Sequence, residues 1–440
     1  MNSAGKVCIS IIAFSLSAAS GHAQELRPQF DRAQFPAANM AEVKLGQLLF
    51  YDPILSGNKK VACATCHHPR FATSDGLPLG LGDGGIGLGP ERRTDPENLP
   101  EKRVPRNSPA LFNLGAAQFI SLFHDGRLEF DANRPSNIRT PLDDEMVAGF
   151  DSVLSAQAMF PVLSPDEMAG HYLENDVAKA VRMGLLTGEN GAWDIIAKRV
   201  RGYAQYQAMF DEVLEPNSEI DFTDIANAIA AFVAFEWRAD DSPFDRYVFE
   251  GEPLTAPELR GLDLFYGKAN CVSCHAGLFQ TDQQFHAIAM PQIGPGKAAR
   301  FEDHADDTGR MHVTGKQEDA FKFRTPSLRN VVFTGPYGHA GAFRTLRDVV
   351  VHHLDPVASL AAYELNVKLP ELASADDQRI LRDPTAVARI GAANELQPIS
   401  LNDEEIEQLL AFLQTLTDQK SVDGRLGVPL SVPSGLPVDQ

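Results

Sequence analysis

Cys63-Ala64-Thr65-Cys66-His67 and, 208 positions further on, Cys271-Val272-Ser273-Cys274-His275 are two copies of one pattern, Cys-x-x-Cys-His. A spacing of three puts both thiols of a copy on one side of a helical turn, and the following residue offers an imidazole beside them. Thiols so placed can add to the two vinyl groups of a porphyrin while the imidazole takes the iron, which is the attachment signature of a c-type haem. The two copies use every cysteine except Cys8. The pattern predicts two covalently bound haems, attached through Cys63, Cys66, Cys271 and Cys274, with His67 and His275 as axial ligands. A structural zinc site is the competing reading, since two Cys-x-x-Cys pairs can form a four-thiolate cage. Such pairs usually lie a few tens of residues apart, and a histidine after each would go unexplained.

Working outward, the first 23 residues hold Lys6, an apolar run over 7–18, and Gly21-His22-Ala23 as a small-x-small cleavage site. They read as a secretory signal peptide that carries Cys8 away, so the mature protein is expected in the periplasm. No later stretch is apolar and long enough to span a bilayer. The formal charge of −20 becomes −21 once Lys6 is removed. That excludes nucleic acid as a partner and allows long-range attraction to a basic redox protein, although the acidic residues are scattered and solubility accounts for most of them.

Between the motifs the periodicity is helical. Residues 41–51 space Val43, Leu45, Leu48, Leu49 and Phe50 on one face, and residues 257–266 repeat this with Leu259, Leu262, Leu264 and Phe265. A third helix is predicted over 224–236, ended by the turn at 240–243, and Asn402 with Glu405 starts a helix whose buried stripe is Ile406, Leu409, Leu410 and Leu413. The predicted fold is mainly α, with two tandem cytochrome c-type haem domains, long loops and little β-structure. The expected domains are residues 24–241 and 242–422, followed by a loosely held tail over 423–440. The stretch 76–89, with seven glycines in fourteen residues, is expected to be a mobile loop beside the first haem.

Five further strings carry a resemblance: Pro105-Arg106-Asn107-Ser108-Pro109, Phe123-His124-Asp125-Gly126-Arg127, Ser242-Pro243-Phe244-Asp245-Arg246-Tyr247, Arg324-Thr325-Pro326-Ser327-Leu328-Arg329-Asn330 and Gly335-Pro336-Tyr337-Gly338-His339. With the haem motifs they resemble the bacterial dihaem cytochrome c peroxidases and their MauG-type relatives, in family order across most of the chain. The resemblance implies that peroxide is split at the amino-terminal haem and that the carboxy-terminal haem relays electrons. Many of these peroxidases have a distal histidine on the loop after the first motif. Here Asp83 falls at that position and His68 adjoins the ligand as a solvated side chain, so the first iron is expected to be five-coordinate. For the acid-base carboxylate of peroxide cleavage the resemblance selects Glu145, with Asp144 behind it, and for the family's glutamine Asn137 or Arg139. At the second haem it selects His353 as distal ligand, with His352 as fallback, and leaves Met290 and Met311 to packing. His124 replaces the family's inter-haem tryptophan and is expected to relay charge or protons, or to bind a propionate. A calcium ion is implied between the domains, held by Asn107 and by the carbonyls of Thr334 and Pro336.

The functional expectation is a periplasmic dihaem oxidoreductase that activates hydrogen peroxide at an open first haem. It either reduces peroxide with electrons from a small cytochrome or cupredoxin, or oxidises a partner protein as MauG does. The alternative, a non-catalytic dihaem electron-transfer cytochrome, requires two six-coordinate haems. A homodimer is a further family expectation.

Overall fold

The computed structural model describes residues 28–134, 136–215, 218–298, 302 and 304–440; the expected signal peptide lies outside the described residues. The chain is mainly helical, with three small antiparallel sheets whose strands are two or three residues long. Helix α1 (Met40–Tyr51) starts at Asn39, whose side chain accepts the Ala41 N–H at 3.1 Å. The first motif is the short helix α2 (Cys63–Cys66), and α3 (Phe222–Glu236) opens with an Asp221/Asp224 capping box. In the second half α4 (Ala256–Tyr266) precedes the motif turn Cys271–Ser273, followed by α5 (Leu346–Leu354) and α6 (Asp403–Gln414).

The two halves repeat one packing device. Helix α1 lies so close to α3 that a Cβ on Gly46 would overlap the Ala228 carbonyl and press on Phe232. Helix α4 lies equally close to α6, where a Cβ on Gly261 would overlap the Gln408 carbonyl and press on Phe412. Glycine permits this approach, and the aromatic ring beside each glycine fills the space it leaves. Phe232 belongs to a cluster with Phe50 and Trp237, at centroid distances of 5.2–5.4 Å, and Phe412 to one with Phe244 and Phe265, at 5.6 and 5.0 Å.

One large core gathers apolar side chains of α1, α3 and the short helices between them, and a second gathers those of α4 and α6. The segments at either end of the described chain cross over. Phe30 packs against Phe244 of the second core, whereas Val432, Leu436 and Val438 join the first. The tail 423–440, expected to be loose, is therefore a packed strap. Glu236 accepts the Leu426 and Gly427 N–H groups at 2.7 and 2.9 Å, Ser434 donates to Asp52 at 2.6 Å, and Thr65 donates to Asp439 at 2.8 Å. His68, expected to be solvated, lies beneath this strap and is only 2% exposed. The glycine-rich stretch also departs from the mobile loop expected of it. Leu77, Leu79 and Leu81 are buried, and the Arg92 guanidinium donates to the carbonyls of Leu81, Gly82 and Gly87, tying the loop to itself.

Candidate active site: one cavity between two motifs

Each motif histidine is held in the same way. The His67 N–H closes a turn on Cys63 O and the His275 N–H one on Cys271 O. The His67 Nδ1 lies 2.9 Å from Thr73 O, and the His275 Nδ1 lies 2.9 Å from Gln280 O. Both carbonyls belong to residues in the left-handed region, Thr73 at φ 62° and Gln280 at φ 48°, which turns them back toward the imidazole. A carbonyl at Nδ1 fixes the proton there and leaves the Nε2 lone pair to the cavity, where at His67 the Ser108 hydroxyl comes no nearer than 3.5 Å, the arrangement of a metal-binding histidine. Burial favours the neutral ring in both, pushing His275 down to about 4.

These two imidazoles and all four thiols open into a single cavity of about 1240 Å³. Its size exceeds that of a pocket for one drug-sized ligand, roughly 300–1,000 Å³. Burial pushes the thiols of Cys63, Cys66 and Cys271 up to about 12, so they are neutral. A zinc cage would need thiolates converging on one point. Among the described residues the one cluster of metal-binding side chains is Cys274 with Asp282 and His286, and the two cysteine pairs do not converge.

Whether the cavity suits two haems can be tested on the second motif. The ring of His353 faces that of His275 across 6.4 Å between centroids. Two metal–nitrogen bonds of about 2 Å plus the ring offsets come to about 6.3 Å, so one iron fits between them. The His353 Nδ1 is engaged by Val349 O at 2.7 Å, leaving Nε2 for the cavity. Both nitrogens of His352, the fallback, are taken, by Ser359 Oγ at 3.0 Å and Ile288 O at 2.8 Å. Among the described residues no ring faces His67 in this way. Met290 lines the cavity but packs against Ala342, Phe343 and Val349.

The polar lining between the motifs also awaits an occupant. Arg324 is buried in the cavity wall, and the partners of its guanidinium are two carbonyls, of Phe123 and Thr325, and the Gln283 side chain. His339 stacks on Phe323 at 3.8 Å and has a buried Nε2 with no partner. A buried guanidinium without a carboxylate and an unpaired imidazole nitrogen fit the carboxylates of haem propionates. His124 reaches the same wall from Phe123, whose φ of 64° turns the chain sharply there. Burial and the nearby Arg106 hold His124 well below the usual histidine range, so it is neutral. Asn107, Thr334 and Pro336 line the cavity too; the Asn107 amide donates to Leu77 O and Pro78 O, which leaves its Oδ1 available.

At the first motif the structure overturns the carboxylate expected from the sequence. Glu145 is exposed on a single turn (Asp143–Glu145) and is absent from the cavity wall, and Asp144 pairs with Arg134 at 3.1 Å on the surface. Asn137 sits in a tight turn at φ 55° and Arg139 pairs with Glu129, so neither replaces the family's glutamine. Asp83 is buried away from the cavity between the amides of Asn58 and Asn98. The residues that do line the cavity are Gln157, at the end of the helix Val153–Ala158, and Glu167. Burial raises the Glu167 carboxyl, while Arg127 and Lys297 oppose the rise. Asp75, beside Cys66, is a second buried carboxyl of the wall, pushed up to about 7 by burial. The tripeptide Asp-Glu-Met occurs twice, at 144–146 and 166–168, and only the second copy follows a glutamine by ten residues. That spacing was the available signal.

A buried ion cluster joins the halves. Arg106 pairs with Asp125 at 2.6 Å and Asp307 at 2.7 Å, and Asp125 also meets Arg127 at 3.1 Å and Lys297 at 3.3 Å. Both carboxylates are held well below their usual range, chiefly by Arg106 against the opposing effect of burial. Replacing Arg106 by Met strands the buried Asp307, leaves Asp125 to Arg127 and Lys297, and is expected to cost about 3–5 kcal/mol in urea unfolding at neutral pH. Because a depressed carboxylate stabilises above its unfolded value of about 3.9 and loses this as pH falls, the deficit should shrink on acidification.

Two motif-bearing helical halves opening into one cavity, with paired imidazoles at one end, define a dihaem c-type cytochrome. A sequence model of the di-haem cytochrome c peroxidases matches residues 40–253. The methylamine utilization protein MauG of Paracoccus denitrificans is 29% identical over 432 residues, covering 94% of this chain and 95% of its own length. MauG of Methylorubrum extorquens is 27% identical over 379 residues, covering 85% and 78%. A crystal structure of a MauG-like protein associated with microbial copper homeostasis superposes with a TM-score of 0.57 at 25% identity, covering 93% and 97%. Over most of its length the chain is similar to di-haem cytochrome c peroxidases and to MauG, and it is a peroxidase-type oxidoreductase with two c-type haems.

Proposed function

We propose that the protein activates hydrogen peroxide at the first motif and draws on the second haem for electrons. The observation that carries this reading is the inequality of the two sites: His353 faces His275, while among the described residues no second ring faces His67. The haems would supply the two electrons that peroxide takes up. In this reading Glu167 accepts a proton from one peroxide oxygen and returns it to the other, with Gln157 positioning the molecule by hydrogen bonds. His67 and His275 would hold the two irons, and His353 would share the iron held by His275. Arg324 and His339 bind propionates, and His124, neutral and buried, separates the two sites. Calcium at Asn107 Oδ1 and the carbonyls of Thr334 and Pro336 would brace the junction of the halves.

The protein works in the periplasm, exported by the segment 1–23; among the described residues no helix is long and apolar enough to cross a membrane. Its partner is either an electron donor of the small cytochrome or cupredoxin kind, or a protein it oxidises. Electron paramagnetic resonance of the ferric protein should show one high-spin and one low-spin signal, and peroxide should abolish both rapidly. Two low-spin, unreactive signals would overturn the reading and leave an electron-transfer cytochrome.

A further inference from the structure

Asp52 follows α1 directly and caps the single turn Pro53–Leu55. Phe50 and Leu55, on either side of it in sequence, line the cavity and share a core with Cys63 of the first motif. Along that turn Leu55 is about 6 Å from Asp52, at roughly 2 Å per residue. Asp52 is 0% exposed. Four donors surround its carboxylate, and all are neutral. The Ile54 N–H and the Ser434 hydroxyl reach Oδ1 at 2.9 and 2.6 Å, while the Tyr206 hydroxyl and the Ser434 N–H reach Oδ2 at 2.7 and 3.4 Å. With donors already directed at both oxygens, the group acts as an acceptor only, as an ionised carboxylate does. Tyr206, on the helix Ala204–Asp211, is also 0% exposed, and burial beside the Asp52 carboxylate holds its phenol well above the ordinary value.

We infer that Tyr206 and Asp52 form a redox site that supplies an electron to the first haem: the phenol gives up the electron, its O–H bond breaks, and the proton crosses the 2.7 Å hydrogen bond to Asp52. The inference rests on the proposed reading of the first site, where peroxide is the oxidant. One electron passes from Tyr206 to the oxidised haem and one proton from the phenol oxygen to Asp52 Oδ2. A neutral tyrosyl radical then lies beside a neutral carboxylic acid. Charge selects this tyrosine over its neighbours. Before the step the buried pair carries one negative charge among neutral donors, and after it the pair is neutral, so losing the electron removes a buried charge. Tyr51 adjoins the wall residue Phe50, with ring centroids 5.4 Å apart, but its hydroxyl is buried without a partner. Trp237, 5.1 Å from the same ring, has an unpartnered Nε1. Oxidising either of these creates a cation in an apolar core with no acceptor for its proton, which is far costlier. Tyr203, half-buried, meets Tyr206 edge-on at 6.5 Å and continues the line toward solvent. The pair is thus a reserve for the first site when the second haem has already given its own electron.

The test mixes the haem-loaded protein with hydrogen peroxide in the absence of an electron donor, freeze-quenches it and reads electron paramagnetic resonance. Wild type should show a tyrosyl radical, recognised by the collapse of its proton splitting when the protein carries ring-deuterated tyrosine. The signal should vanish in Tyr206→Phe and persist in Tyr51→Phe. It should also vanish in Asp52→Asn, which keeps an oxygen to accept the phenol's hydrogen bond but cannot take its proton. In a protein that consumes peroxide, a radical absent from wild type, or undiminished in Tyr206→Phe or Asp52→Asn, overturns the inference. Flash photolysis with a ruthenium polypyridyl complex and persulfate oxidises the protein without peroxide and keeps the two readings apart. A Tyr206-dependent radical under the flash, in a protein inert to peroxide, overturns the proposed function and supports the redox site. A flash radical that does not depend on Tyr206 overturns the redox site. If Asp52→Asn does not fold, the solvent isotope effect on radical formation takes its place: formation should be slower in heavy water, and equal rates overturn the coupled transfer.

Discussion

Glu167→Gln is expected to slow the peroxide-induced loss of the ferric signals by about 10²–10⁴-fold, the usual contribution of a positioned proton carrier. The substitution keeps the shape of the side chain and its capacity for hydrogen bonds, but an amide cannot accept and return a proton. The effect should therefore fall on the rate of reaction with bound peroxide and leave the spectra of the resting protein unchanged. Glu145→Gln is the matched control. Its carboxyl is exposed on a surface turn outside the cavity, so the rate should stay within experimental error of wild type. Stopped-flow mixing of each variant with hydrogen peroxide measures both. Equal rates for Glu167→Gln and wild type would remove Glu167 from the chemistry and turn attention to Asp75, the other raised carboxyl of the wall.

His353→Ala should abolish the whole low-spin signal in electron paramagnetic resonance and leave two high-spin signals. With Nδ1 engaged by Val349 O, the free Nε2 of His353 is the strong donor opposite His275, and alanine puts nothing in its place. His352 cannot rescue it, because releasing its ring would leave Ser359 and Ile288 without their buried partner. His353→Met is the informative companion: thioether in place of imidazole favours the reduced iron, so the second haem should remain low-spin while its reduction potential rises. Potentiometric titration of the wild type and this variant checks the direction. Retention of the low-spin signal in His353→Ala would mean that another residue closes the second site.

What could be read from the amino-acid sequence follows the range of the interactions concerned. The haem motifs, the paired helices that precede them and the capping box at Asn402 depend on residues a few positions apart, and each is where the pattern put it. His353 and His352 differ by one position on a helix, and what the fold adds is that both nitrogens of His352 are occupied, by Ser359 and Ile288. Glu167 was missed because two Asp-Glu-Met tripeptides compete locally, and only the fold shows which one lies on a cavity wall. The tail 423–440 looked loose for a similar reason. Its prolines and glycines signal the absence of helix, while the partners that fix it, Asp52, Thr65 and Glu236, are between roughly 190 and 380 positions away in sequence. The glycine-rich stretch 76–89 is held by Arg92, only a few residues downstream, but side-chain capture of backbone carbonyls leaves no periodic trace.

The strap bears on how the molecule is assembled. Thr65 lies between the two cysteines of the first motif, is 1% exposed, and is clasped by Asp439, 374 positions later. Its counterpart in the second motif, Ser273, is exposed. Closing the fold therefore ties the first motif to the far end of the polypeptide, whereas Ser273 bonds locally, to the Asn270 carbonyl.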